Sequence, residues 1–239
     1  KAGQVVVHYV DEAGNTLQTD AVDTKDGKPG AKYDTSDNDM KPTRITTPEG
    51  KVYELVPAST KGNETGSVEA GKTTEVTYVY KEVKGNVVVH YTDEAGNTIA
   101  EDVKDTTDGS VSSAYDTTDN KPATITTKDG KKYALVPTAT KGTENGKVTE
   151  GTTEVTYVYK EVTGDVVVHY VDTEGNVIAD DKEDTKGASL NAKYDTTDNK
   201  PAIIEKDGVK YYLTEKTVKD GSKPENGDVV EGKTEVTYV

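Results

Sequence analysis

His8, His90 and His169 are the three histidines of the sequence, the side chains that ordinarily titrate near neutrality. Each stands in the same run, Val-Val-Val-His-Tyr, and they recur about 80 residues apart. One histidine per unit could hold a transition metal or sense pH. A metal site, however, needs several convergent nitrogen or sulfur ligands, and there is no Cys and no second His in any unit. A structural place in a strand is therefore the expectation. A second recurring set is Asp34, Asp37 and Asn38, repeated as Asp116, Asp119 and Asn120 and as Asp195, Asp198 and Asn199. These oxygens could ligate Ca²⁺, but the glycine and the closing glutamate of an EF-hand loop are missing, and Asp and Asn in such runs cap and turn the backbone. The 44 acidic residues offer carboxylate pairs for acid–base work, yet no spacing marks one pair. No nucleophile motif, P-loop or dinucleotide fingerprint occurs. Lys and Asn are abundant enough for an isopeptide crosslink, but no motif selects a pair. The residues thus assign no catalytic, cofactor-binding or metal site, and they name no ligand contact. The expectation is a protein that is not an enzyme and uses no cofactor.

The elements that would position these residues are short β-strands. Residues 5–10 alternate as strand one, with Val5, Val7 and Tyr9 on one side and Gln4, Val6, His8 and Val10 on the other. Residues 11–15, with Gly14, read as a hairpin turn into a second strand around Thr16 and Leu17, matched at residues 93–97 and 172–176. The stretches at residues 33–38 and 115–120 carry Asp and Thr that could cap one short helical turn, ended by Pro42 or Pro122. A hairpin follows at residues 123–127 and 131–136, then a polar loop and a last strand at residues 154–159. In the equivalent strand of the first unit Val76, Tyr78 and Tyr80 share the side expected to be buried.

Glu75-Val76-Thr77-Tyr78-Val79-Tyr80-Lys81-Glu82-Val83 leads through Lys84-Gly85 into residues 86–91, and residues 154–170 repeat this junction almost letter for letter. The chain opens on the second half of the junction and closes on the first, so three units fill it: residues 1–82, 83–161 and 162–239. Hydrophobic residues make up 31% of a chain with net charge −15, values that in an unpatterned sequence mean disorder. Here the apolar residues cluster at a fixed period, which predicts folded β-domains. With no Phe and no Trp, the 15 tyrosines are the large side chains available to the core. The acidity disfavours nucleic acid and anionic membrane surfaces, and no run of 18 apolar residues suggests membrane insertion. Lys1 stands just before a strand, and Val239 stands where the other units go on with Tyr80 or Tyr159, so the expectation is a portion of a longer protein.

Val87-Val88-Val89-His90-Tyr91 followed by Asp93-Glu94-Ala95-Gly96-Asn97, a lone Tyr115, Lys132-Tyr133-Ala134-Leu135-Val136-Pro137 and a terminal Glu154-Val155-Thr156-Tyr157-Val158-Tyr159 form a recognisable set. It resembles the MucBP (mucin-binding protein) repeats of Gram-positive cell-wall-anchored surface proteins, and the resemblance covers all three units. The resemblance implies a β-rich α+β class: tandem β-grasp, ubiquitin-like repeats in which first and last strands pair parallel at the centre of a mixed sheet. Such units would join head to tail as an elongated, monomeric rod, about 35 Å per unit and on the order of 100 Å in all. The connector at residues 81–85 is too short, and too poor in Gly and Ser, for a flexible tether. Tyr80 and Val83 are expected to pack against the next unit. The resemblance further implies the tandem-repeat region of a cell-surface adhesin, extracellular and anchored through regions outside this sequence, that binds mucin or another host glycoprotein by multivalent weak contacts. The alternative is a stalk that projects a separate N-terminal adhesive domain.

Overall fold

The computed structural model describes residues 1–239. In the first repeat the strands are β1 (Gly3–Asp11), β2 (Thr16–Gly27), β3 (Lys32–Asp34), β4 (Arg44–Thr46), β5 (Val52–Leu55), β6 (Thr65–Ser67) and β7 (Thr73–Glu82). The second repeat supplies β8 (Lys84–Asp93), β9 (Thr98–Ser110), β10 (Ala114–Asp116), β11 (Thr124–Thr126), β12 (Lys132–Leu135), β13 (Asn145–Lys147) and β14 (Gly151–Val171). The third adds β15 (Val177–Ser189), β16 (Lys193–Asp195), β17 (Ile203–Lys206), β18 (Val209–Tyr212), β19 (Asn226–Asp228) and β20 (Gly232–Tyr238). By packing, the chain divides into two units. One comprises Lys1–Val89, Val103–Asn120 and Gly142–Val155, and the other His90–Asp102, Lys121–Lys141 and Thr156–Val239.

The first repeat's sheet runs β2-β1-β7-β5-β4. β1 and β7 are parallel at its centre, Val7 beside Val76 and Tyr9 beside Tyr78, and β2 and β5 flank them antiparallel. This order follows from alternation: Val5, Val7, Tyr9, Val76, Tyr78 and Tyr80 all point to the buried face. The β1–β2 turn is set by Asp11, whose Oδ1 accepts the backbone N–H of Ala13 and of Asn15 at 2.9 and 2.8 Å, while Gly14 takes a φ of 91°. Asp93 and Asp172 hold the matching turns. β2 extends well beyond Thr16 and Leu17, to 12 residues. Its edge position leaves one flank in water, and irregularities in its register with β1 break the alternation that would have revealed its length.

The core is built from tyrosine. Tyr9 donates its hydroxyl hydrogen to the Met40 carbonyl at 2.6 Å, and Tyr80 to that of Pro42 at 2.7 Å. Tyr33, on the small β3–β6 ribbon, reaches the Asn63 carbonyl, and Tyr115 and Tyr194 make the same contact to Thr143 and Pro224. Thr35, fully buried, places its Oγ1 3.0 Å from the Glu64 carbonyl and 2.7 Å from the Tyr78 hydroxyl. Thr196 repeats this with Glu225 and Tyr238. Burial raises the hydroxyl pKa of Tyr9, Tyr33, Tyr78, Tyr80, Tyr194 and Tyr238, and that of Tyr159 to about 12.

The α component expected of an α+β, ubiquitin-like unit does not form; the protein is mainly β. The segment between the first hairpin and the second carries no apolar stripe of period 3.6, and its Asp, Thr and Asn side chains bond the local backbone instead. The short capped turn appears as 3₁₀ turns at Thr117–Asn120 and Thr196–Asn199, the latter capped by Asp195 accepting from the Thr197 N–H. In the first repeat Asn38 and Asp39, at φ of 51° and 61°, replace it with turns.

The junctions are strand throughout or nearly so. β7 and β8 are separated by Val83 alone, and β14 is one strand of 21 residues that carries the second repeat into the third. Tyr80 packs into the core of its own repeat rather than the next, because alternation turns it to the face shared with Tyr9, Ile45 and Tyr53. Gly85 and Gly164 are required here: a Cβ would stand 1.8 Å from the Thr149 carbonyl oxygen and 2.0 Å from that of Val230. Inside the first unit Arg44 makes a two-pronged pair with Glu150, at 2.9 and 3.0 Å. Inside the second, Lys132 lies 3.4 Å from Glu231 and Ser189 donates to Glu161 at 2.6 Å.

A Thr196→Val substitution keeps the shape of the buried side chain and leaves the Glu225 carbonyl and Tyr238 hydroxyl a partner short. The expected outcome is a loss of about 1–3 kcal/mol from the repeat that contains it, read as an earlier urea transition. An unchanged transition would show that the hydroxyl contributes nothing to stability.

Candidate functional site

The polar flank of each sheet carries the recurring histidine, as the alternation of strand one implies. β1 lies between β2 and β7, so His8 meets a carboxylate on either side: Nδ1 is 2.9 Å from Asp20 and Nε2 is 3.1 Å from Glu75. In the third repeat His169 stands 2.7 Å from Asp181 through Nδ1 and 3.0 Å from Glu235 through Nε2. His90 Nδ1 lies 2.8 Å from Asp102. The partner aspartate sits 12 residues beyond His90 and His169, a spacing that a hairpin of fixed turn length imposes. With both ring nitrogens aimed at carboxylates, the doubly protonated imidazolium satisfies the site best. The hydrogen bond to Asp20 raises the His8 pKa, burial opposes it, and Glu75 adds to the rise. For His169 burial works downward, and Asp181 and Glu235 outweigh it.

The two carboxylates approach opposite edges of the ring, so they do not share a point with a ring nitrogen. No group of three or more His, Asp or Glu side chains in the structure is arranged to hold a metal ion. The first aspartate of each Asp–Asn set serves the backbone. Asp34 Oδ1 accepts the Ser36 hydroxyl and its N–H, the latter at 2.8 Å, Asp116 accepts those of Thr118, and Asp195 the N–H and hydroxyl of Thr197, which holds all three carboxyls below their usual range. Asn120 donates to Asp105 at 2.9 Å and Asn199 to Asp184 at 3.0 Å. Burial lifts the Asp105 and Asp184 carboxyls, with the neighbouring Asp119 and Asp198 adding to the rise against those asparagines. In the first repeat Asn38 turns to Asp37 instead.

Behind the sheet, Lys41 Nζ lies 2.7 Å from Glu64 and 5.5 Å above the Tyr78 ring, and Lys200 makes the same pair with Glu225 over Tyr238. These bridges close the rim of the core. Residue types alone leave out Asp20, Glu75, Lys41 and Glu64; their recurrence at matching places in the repeats is the available signal.

The MucBP domain model matches residues 4–81, 86–160 and 165–239. The chain belongs to the MucBP domain family. Among curated proteins it is 48% identical over 184 residues to the muramidase-released protein of Streptococcus suis, covering 68% of this chain and 14% of that protein. It is 29% identical over 187 residues to internalin J of Listeria monocytogenes, covering 74% of this chain and 19% of the relative. The MucBP repeats thus span less than a fifth of the curated relatives they match. Among solved structures, the type 2 repeat of the mucus binding protein MUB from Lactobacillus reuteri aligns with 66% of this chain and 99% of its own, at 17% identity and a TM-score of 0.24.

Because the folded pKa of His8 and of His169 lies above the unfolded value of about 6.5, their contribution to stability is complete below about pH 6.5. It is lost as pH rises through the folded value. Replacing both residues with Gln should cost more stability at about pH 5.5 than at about pH 8.5 in urea unfolding. A cost that is equal at the two pH values would remove the charged form from the account.

Proposed function

We propose that these MucBP repeats are part of a bacterial cell-surface adhesin, extracellular and held at the cell wall by regions outside this sequence, and that they bind mucin or another host glycoprotein through multivalent weak contacts. The observation that carries this reading is the threefold recurrence of one MucBP domain. Copies of one weak site on a single chain gain avidity through effective concentration with no new contact. With a net charge of −15, recognition runs through neutral sugars, peptide or bridging cations, and not through cationic patches. The reading is of binding and not of catalysis.

A second reading takes the repeats as a stalk. The unbroken β14, and the pairing of Arg44 with Glu150 inside the first unit, favour it. On either reading we take the folding boundaries as residues 1–82, 83–161 and 162–239, following one another head to tail as a monomeric rod.

The test is binding of the whole chain to immobilised mucin and to the same mucin stripped of its glycans, with and without Ca²⁺. Saturable binding that falls at least tenfold on deglycosylation is expected of the adhesin. Absence of binding under every condition would leave the stalk. Small-angle scattering addresses the rod separately: a maximum dimension on the order of 100 Å is expected, and a compact particle would reject it.

A further inference from the structure

Strand register fixes how a pull along the chain meets each repeat. In the first, β1 and β7 pair parallel over eight residues, from Gln4 beside Thr73 to Asp11 beside Tyr80. The chain enters at the Gln4 end of this ladder and leaves beyond the Tyr80 end, through Val83 into β8. Tension therefore drags β1 and β7 past each other lengthwise. The evenly spaced bonds of a parallel pair then share the load and must fail together, whereas strands drawn apart from one end lose them one at a time. The third repeat is loaded in the same way, over seven pairs from Gly164 beside Gly232 to Tyr170 beside Tyr238. Its ladder begins within β14, a single strand of 21 residues, so no slack lies ahead of it.

The core face adds a second hold on sliding. Tyr9 of β1 donates to the Met40 carbonyl at 2.6 Å, and Tyr80 of β7 donates to that of Pro42 at 2.7 Å. One loop thus grips both loaded strands. The Tyr9 ring also lies 6.4 Å from that of Tyr78 and 6.5 Å from that of Tyr80. In the third repeat the turn Thr196–Asn199 takes the place of this loop: Tyr170 donates to the Asn199 carbonyl and the Tyr238 hydroxyl bonds that of Thr196. The rings are buried, so a hydroxyl pulled from its partner is not rescued by water. Phenylalanine would fill the same space and leave the strands free of the loop, and the chain has none.

We propose that the first and third repeats are tension-bearing elements, their parallel first and last strands loaded in shear and strapped by tyrosine hydroxyls to one loop. The function is mechanical: the repeat stays folded under a pull that would open a sheet loaded from one end. The source of the pull, attachment at a cell wall and to a host surface, rests on the surface-protein reading above. The response to it is a property of the ladder and the strap.

The experiment pulls on the first repeat of the whole chain in two directions with optical tweezers. The sequence has no Cys, so introduced thiols are the sole points of attachment. Lys1→Cys with Lys81→Cys loads the ladder lengthwise. Lys1→Cys with Lys72→Cys loads it from one end, because the Gln4 N–H donates to the Lys72 carbonyl at 2.9 Å. All three lysines are exposed. In the lengthwise arrangement the repeat is recognised by a release of roughly 240 Å, the extended span of residues 1–81 less the folded ladder. A rupture force at least twofold higher lengthwise than from one end is expected. Equal forces would overturn the proposal. Tyr9→Phe keeps the ring and loses the hydroxyl, and should lower the lengthwise force by a larger fraction than the force from one end. An equal fractional loss would assign that hydroxyl to stability alone and overturn the strap. Forced unfolding reads the unfolding barrier and involves no ligand. Its failure is therefore distinct from a failure to bind mucin, which would remove the adhesin and leave the ladder's resistance as measured.

Discussion

Every aromatic side chain of this core ends in a hydroxyl, and burying such a ring is most favourable where that hydroxyl finds a partner. The chain has no Phe and no Trp. Tyr9, Tyr33 and Tyr80 therefore cross the sheet face and meet a carbonyl at its rim, and Tyr78 meets the Thr35 hydroxyl and the Glu64 carboxylate. This demand accounts for the placement of Met40, Pro42, Asn63 and Glu64, all in loops, all held where a tyrosine arrives. It also accounts for Thr35 and Thr196, small hydroxyls buried beside Tyr78 and Tyr238. The loops that look unstructured in sequence are tied to the sheet by the polar ends of its core.

The opposite flank of the sheet solves a different problem. A chain of net charge −15 places carboxylates on neighbouring strands, where like charges repel. Interposing His8 between Asp20 and Glu75, and His169 between Asp181 and Glu235, turns two such pairs of strands into attractive contacts when the ring is charged. Lys41 and Lys200 do the same for Glu64 and Glu225 at the core rim. The 29 Lys and Arg are outnumbered by 44 acidic residues, and several cationic groups stand where they offset more than one acidic neighbour or lie over a ring.

Much of this is legible in the sequence alone. Strict alternation placed Val5, Val7, Tyr9, Val76, Tyr78 and Tyr80 on one face and His8 on the other, because a two-residue period survives wherever one side of a strand is buried. The Asp-Gly-Asn turn was readable because its residues have backbone tasks few others can do. The length of β2 was not, since an edge strand with bulges loses the period. Neither was the lack of an α-helix between the hairpins: Asp and Thr at residues 34–37 look like caps whether or not a helix follows. Its place at a junction points Tyr80 toward the next repeat, yet alternation commits it to its own core. Of the polar flank, His8 stood out by its rarity, whereas Asp20 and Glu75 were hidden among many carboxylates until the topology brought their strands to either side of β1.

The same strand that completes one repeat begins the next. β14 pairs with β12 through Tyr159 to Val162 and, only a residue later, with β15 from Thr163 onward. No residue between them is left to bend freely, and Gly164 allows the Val230 carbonyl to come as close as the crossing needs. Unfolding of the third repeat would therefore remove an order-keeping constraint from residues 159–162, which the second repeat's sheet requires, and fraying of β12 would loosen the start of the third. Neighbours coupled in this way share stability as nearest-neighbour terms and not as independent domains. A repeat of marginal size, with a core of valine and tyrosine, gains from that coupling what it cannot draw from its own buried area.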